Sequence, residues 1–232
     1  MRARFLLILV VVMAATPAAL VYTDVLRIPD RWNPWAPLAI AEAPNVLTRY
    51  KLSRLDDDAA SCREAISQSG FRYAWLPDRD FAPGCALNNA LRIDATSAAI
   101  GAPVTLSCRS AVALALWERH VLQPQSLAHF GVRVERLRHY GSYACRNIQG
   151  RDDGRRSQHA TGDALDVAAF TLANRREIRV VSDWSGQGDA ARFLHDVHAG
   201  ACRFFDAVLG PDYNAAHRDH LHFDRGAYRA CR

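Results

Sequence analysis

Ser157-Gln158-His159-Ala160-Thr161-Gly162-Asp163-Ala164-Leu165-Asp166-Val167 changes character at its middle. Gly162 permits a turn, and the residues from Ala164 to Ala168 read as a strand of small and apolar side chains carrying one carboxylate, Asp166. Asp219-His220-Leu221-His222-Phe223-Asp224 answers it near the other end of the chain. At strand period His220 and His222 share one face while Leu221 and Phe223 take the other. An imidazole, a carboxylate and another imidazole are N/O ligands suited to zinc. Three protein ligands with a fourth position open is how a catalytic zinc site is built.

Around this pair the pattern predicts an α+β domain, an antiparallel sheet with packed helices. Val132 to His139 alternates as a strand, and Ile178 to Val181 reads as a hairpin partner for the strand that carries Asp166. Phe71 to Leu76 reads as a further strand. Helices are expected from the acidic entry at Asp56–Asp58 through Ile66, from Ala111 to His120 with Ser110 as cap, and from Asp189 to Leu209 as the longest. The catalytic core is placed at about residues 131–232. Of the nine histidines, His195 and His198 lack the intervening Glu of a His-Glu-x-x-His site and read as ordinary helix residues, as do His120 and His129 near helix ends. His217 is a candidate for the rim.

Half of the 232 residues are apolar and the formal net charge is +5. Arg and Asp are interleaved, without a basic stripe or zinc-finger spacing, so nucleic acid is not the expected partner. Met1-Arg2-Ala3-Arg4 is a basic flank, and no charge occurs from Phe5 to Tyr22. Eighteen helical residues span about 27 Å, enough for a thin hydrocarbon core. Residues 1–22 are therefore read as a membrane anchor or, alternatively, a cleaved signal peptide; both export the rest of the chain. The expected location is the bacterial inner membrane, single pass with a periplasmic C-terminal domain, or the soluble periplasm after cleavage. Residues 23–50, rich in Pro and Trp, read as an extended tether, and 51–232 as the domain.

Cys62, Cys85, Cys108, Cys145, Cys202 and Cys231 are even in number and widely spaced, which suits three disulfides in an oxidising compartment. Fifteen pairings exist. Sequential pairing, 62–85, 108–145 and 202–231, is the expectation because it staples local segments.

Ser157-x-His159-x-x-Gly162-x-Ala164-x-Asp166 together with Asp219-His220-x-His222 resembles the zinc peptidases of the lysostaphin/D-Ala-D-Ala-carboxypeptidase/hedgehog fold. More closely, Gly141-Ser142-Tyr143-Ala144-Cys145-Arg146, Ala160 to Val167, Trp184-Ser185-Gly186, Phe193 to Val197 and Cys231-Arg232 resemble bacterial extensin-like C-terminal-domain proteins, over about Trp32 to Arg232. The peptidase resemblance implies His159, Asp166 and His222 as ligands of Zn2+, and His220 as the non-ligand histidine that moves a proton or stabilises the tetrahedral intermediate. It implies Arg146 as the substrate-anchoring arginine and Ser157 as a residue that orients substrate or backbone. Asp219 stands where the carboxypeptidases carry a general-base Glu, one methylene shorter, so the base lies between Asp219 and His220. Asp163 or Asp224 is expected to orient a ligand imidazole. The implied activity is zinc-dependent hydrolysis of amide bonds in envelope peptides, with peptidoglycan as the expected partner. The alternative is a non-catalytic envelope-binding or structural module that retains the metal site.

Overall fold

The computed structural model describes Met13 and residues 28–232. The expected anchor, residues 5–22, lies outside the described residues apart from Met13. Among the described residues no helix is long and apolar enough to cross a membrane. One compact unit runs from Pro37 to Arg232. It draws in part of the stretch expected as a tether: Leu38 and Ile40 are buried in the core, and a helix, α1, covers Thr48–Arg54.

Helix α2, Ala59–Ser67, begins at Asp58, whose side chain accepts from the Ser61 N–H and satisfies one of the free donors of the first turn. Strands β1 (Arg72–Trp75), β4 (Ala90–Ala95) and β5 (Val104–Ser107) form a three-stranded antiparallel sheet in the order β1-β4-β5. A small hairpin of β2 (Arg79–Ala82) and β3 (Cys85–Leu87) lies between them in sequence. Helix α3, Cys108–Trp117, has nine of its ten residues buried, the mark of a helix enclosed on all sides. Its cap is Ser107, one turn before the expected Ser110, because Ser107 Oγ is placed to accept from the Ser110 N–H. A five-residue π-helical segment, Glu118–Leu122, leads into α4, Gln123–Phe130, which Gly131 ends in the left-handed region.

The second sheet carries β6 (Val134–Gly141), β7 (Ala164–Leu172), β8 (Glu177–Arg179), β9 (Ala207–Leu209), β10 (Leu221–Asp224) and β11 (Ala230–Cys231), in the order β11-β9-β10-β7-β6 with β8 also on β7. All pairings are antiparallel except β9 with β11. Val180–Asp183 forms a single helical turn, α5, and α6 runs from Asp189 to Ala201. The helix expected to reach Leu209 therefore stops early. The chain turns at Cys202–Phe205, with Phe204 and Phe205 both buried, and Ala207–Leu209 joins the sheet beside β10. Apolar positions that fitted one helical face serve a helix, a turn and a strand in succession.

Among the described residues, Trp117, Phe170, Phe193, Phe204 and Phe223 are the largest fully buried side chains. Trp117 packs at 5.0 Å from Phe223 and donates to the Val197 carbonyl, joining α3 to β10 and α6. At Gly200 a Cβ would lie 2.4 Å from Val121, so only glycine lets α6 pass that close to the π-helical segment.

The disulfides are Cys62–Cys108, Cys85–Cys145 and Cys202–Cys231, with no free cysteine. This corrects two of the three expected pairs. Cys62 on α2 faces the buried start of α3, and Cys85 on the hairpin faces the loop after β6. Both links bridge segments distant in sequence, where a preference for local staples is misleading.

Candidate metal centre

Strands β7 and β10 pair in a register that sets His222 opposite Asp166 and Phe223 opposite Leu165. Alternation sends Leu221 and Phe223 into the core and leaves His222 beside Asp166 on the other face. His159 arrives from a 3-10 turn, Gln158–Thr161. Ser157 starts that turn by accepting from the His159 N–H, so it orients backbone, and it also lines the cleft described below. Gly162 ends the turn at φ +70°, and a Cβ there would meet Leu87 and the Ser107 amide. The glycine thus lets the chain reverse against β5 and enter β7.

Three donor atoms converge. His159 Nε2 lies 3.2 Å from Asp166 Oδ2 and 3.3 Å from His222 Nδ1, and His222 Nδ1 lies 2.9 Å from Asp166 Oδ1. All three residues are buried. The far side of each ring is occupied. His159 Nδ1 is 2.7 Å from the Ser142 carbonyl oxygen, which can only accept, so this nitrogen carries the hydrogen and Nε2 the lone pair. His222 Nε2 donates to Asp224 Oδ2 at 2.9 Å, which leaves Nδ1 facing inward. Two imidazole nitrogens and a carboxylate face one another, a set that could hold a cation. Of the two carboxylates expected to orient a ligand ring, Asp224 is the one in contact with His222. Asp163 instead accepts from Ser107, Arg109 and Thr161 and anchors the His159–Asp166 loop to the start of α3.

The metal-free titration behaviour results from this crowding. Burial disfavours charge on His222, but the hydrogen bonds and charges of Asp166 and Asp224 outweigh it and raise its pKa to about 9. Burial favours a neutral Asp166, yet His159 and His222 hold its carboxyl well below the usual range. His220 stands just outside the triad, with Nε2 3.5 Å from Asp166 Oδ1 and Nδ1 3.0 Å from Asp219 Oδ1. Asp219 is thereby paired to His220. His217, whose Nδ1 is 2.8 Å from Asn214 Oδ1, packs tilted against His220 with ring centroids 5.2 Å apart. Burial and then the charges of His222 and His220 lower its pKa to about 4, so it is neutral at pH 7.

His159, Asp166, His217, His220 and His222 line a cleft of about 440 Å³. Arg146, Arg155 and Arg156, close in sequence, share the lining with Tyr213 and Tyr228. A larger hollow of about 840 Å³ lies by the Asp94–Gly101 loop and gathers no histidine. The second cluster of metal-ligating types, His198 with Cys202 and Cys231, has both sulfurs joined to each other.

Residues 60–232 match the family model described as extensin-like protein C-terminus. The chain belongs to the extensin-like C-terminal family. No curated protein and no solved structure matches it. The site of this extensin-like domain includes parts that sequence patterns do not announce. The Ser142 carbonyl is a backbone group, and Arg155, Arg156, Tyr213 and Tyr228 belong to loops without a motif. His217 was legible only as a rim candidate.

Proposed function

We propose that the extensin-like domain is a zinc-dependent hydrolase of amide bonds in cell-envelope peptides, with the peptide part of peptidoglycan as substrate and His159, Asp166 and His222 as ligands. The observation that supports this most is the inward-facing nitrogen of each imidazole beside Asp166, with the opposite ring nitrogens held by the Ser142 carbonyl and Asp224. Two nitrogens and one carboxylate oxygen suit zinc, and a set of three protein ligands would leave a fourth position for water or substrate. Zinc bound there supplies a Lewis acid that polarises an amide carbonyl and acidifies water.

The chain's own residues do the rest. A carboxylate oxygen can only accept, so with Asp219 ionised His220 Nδ1 carries the hydrogen and Nε2 is the proton-accepting atom beside the site. Asp219, committed to that contact, orients His220 and leaves the base role to it. Arg146, exposed at the cleft wall, complements negative charge on substrate or oxyanion. The apolar run at residues 5–22 supports a periplasmic domain held at the inner membrane, within reach of such a substrate.

The test is incubation of zinc-loaded and chelator-stripped protein with purified peptidoglycan, and then mass analysis of released peptides. Zinc-dependent release of defined fragments is expected. Stoichiometric zinc with no product from any envelope fraction would refute hydrolysis and leave a binding module.

A further inference from the structure

The wall of the cleft that holds Arg146 and Arg155 is a single hairpin-like arm. Asn147 bridges Arg156 in antiparallel sense, the Ser157 N–H donates to the Arg146 carbonyl, and the Ile148 N–H donates to the Arg155 carbonyl. The arm is held at its base. Arg156 donates to the Pro83 carbonyl and to Asn147 Oδ1, and the Cys85–Cys145 disulfide ties the residue before Arg146 to the β2–β3 hairpin. Arg156 is thus spent on structure. Arg146 and Arg155 are exposed, line the cleft, and enter no ion pair among the described residues. The carboxylates in the same lining are both engaged within the cluster: Asp166 faces the inner nitrogens of His159 and His222, and Asp224 accepts from His222 Nε2.

A cleft with uncommitted guanidiniums on a braced arm, and no uncommitted acid to answer them, is built for an anion. The helical turns in its lining are the short 3-10 turns around Gln158–Thr161 and Ala215–His217. It therefore lacks a long helix end of the kind that cradles phosphate. What it offers is two separate planar forks, which fit carboxylates.

Resting on the hydrolase reading of the metal centre, we propose that Arg146 and Arg155 form a two-point carboxylate clamp, so that the site selects peptides bearing free carboxylates at two positions. Arg155 is the new element. It confers specificity by holding a carboxylate apart from the one at Arg146, and it does not touch the reacting bond.

The test uses the zinc-loaded full chain and a fluorescent short peptide with two free carboxylates, compared with its singly and doubly amidated forms, read by anisotropy. Arg155→Gln and Arg146→Gln should each weaken the dicarboxylate by about tenfold or more, the worth of a charge-assisted hydrogen bond. Neither should change binding of the doubly amidated form, and each variant should lose discrimination against only one of the two single amides. Zinc content equal to that of the parent shows that the site is intact in both variants. Equal binding of dicarboxylate and diamide would overturn the clamp, as would an unchanged Arg155→Gln variant or tighter binding of inorganic polyphosphate than of the dicarboxylate. Discrimination without any peptide release from peptidoglycan would sustain the clamp and sink the hydrolase. Release that ignores the carboxylates would do the reverse.

Discussion

Stripping the metal and varying pH tests the centre most directly. In the metal-free chain His222 titrates at about 9, because Asp166 and Asp224 flank its buried ring. Below that pH the ring carries a proton on the nitrogen that faces His159, and zinc must displace it. At pH 7 only about one molecule in a hundred has the site deprotonated, so apparent zinc affinity should lie about a hundredfold below its alkaline limit. It should strengthen about tenfold per pH unit between 7 and 9 and then level off. The same proton acts on stability with the opposite sign. A histidine whose folded pKa is raised above its unfolded value of about 6.5 contributes stability that is complete below pH 6.5 and is lost as pH rises through 9. At about 1.4 kcal/mol per pH unit that contribution is about 3 kcal/mol. Chelator-competition titrations at four pH values, paired with urea unfolding of the stripped protein, measure both. Zinc affinity flat from pH 7 to 9, with stripped-protein stability equally flat from 6.5 to 9, would refute the flanked-imidazole account.

His159→Ala, Asp166→Ala and His222→Ala should each abolish stoichiometric zinc, whereas His220→Ala should keep the metal and lose peptide release; elemental analysis beside the peptidoglycan assay separates the two. Asp224→Asn can no longer accept at both oxygens from His222 and the Gly226 N–H, so zinc affinity should fall about 10–100-fold with the fold retained, as a chelator titration will read. Replacing Cys85 and Cys145 together by Ala should cost about 2–4 kcal/mol in denaturant unfolding and loosen zinc, since Ser142 lies on the loop they pin. Burial raises the pKa of Glu118, whose Oε1 has no partner, so the stability it gives is present below pH 4.5 and lost as pH rises through the folded-state value. Glu118→Gln should flatten that decline and unfold at higher urea than the parent at pH 8.

Much of the centre was legible because strand alternation is a local rule: His-x-His with apolar residues between them can bury only one face. The antiparallel α+β architecture and the strands at Val134–Gly141 and Ala164–Leu172 come from the same periodicity. The disulfides escaped it. Which cysteine meets Cys108 depends on how α2 packs on α3, and nothing near Cys62 in sequence carries that information. Asp189 to Leu209 misled for a related reason. Phe204, Phe205 and Val208 continue the apolar spacing of a helix, and only the open edge of β10 makes a strand the better use of Ala207–Leu209. The Ser142 carbonyl was invisible because every residue has one; its role comes from where the Cys85–Cys145 link leaves it.

The direct pairing of His222 with Asp166 across β10 and β7 has a consequence for how the protein can fail. Side chains alternate with a period of two, so a slip of one residue would bring Leu221 or Phe223 opposite Asp166 and push the imidazole towards the core. A slipped molecule could keep much of its sheet hydrogen bonding and still be blind to metal. The bound ion would therefore act as a proofreader of strand alignment, and metal stoichiometry in a preparation would count the molecules whose sheet is in register.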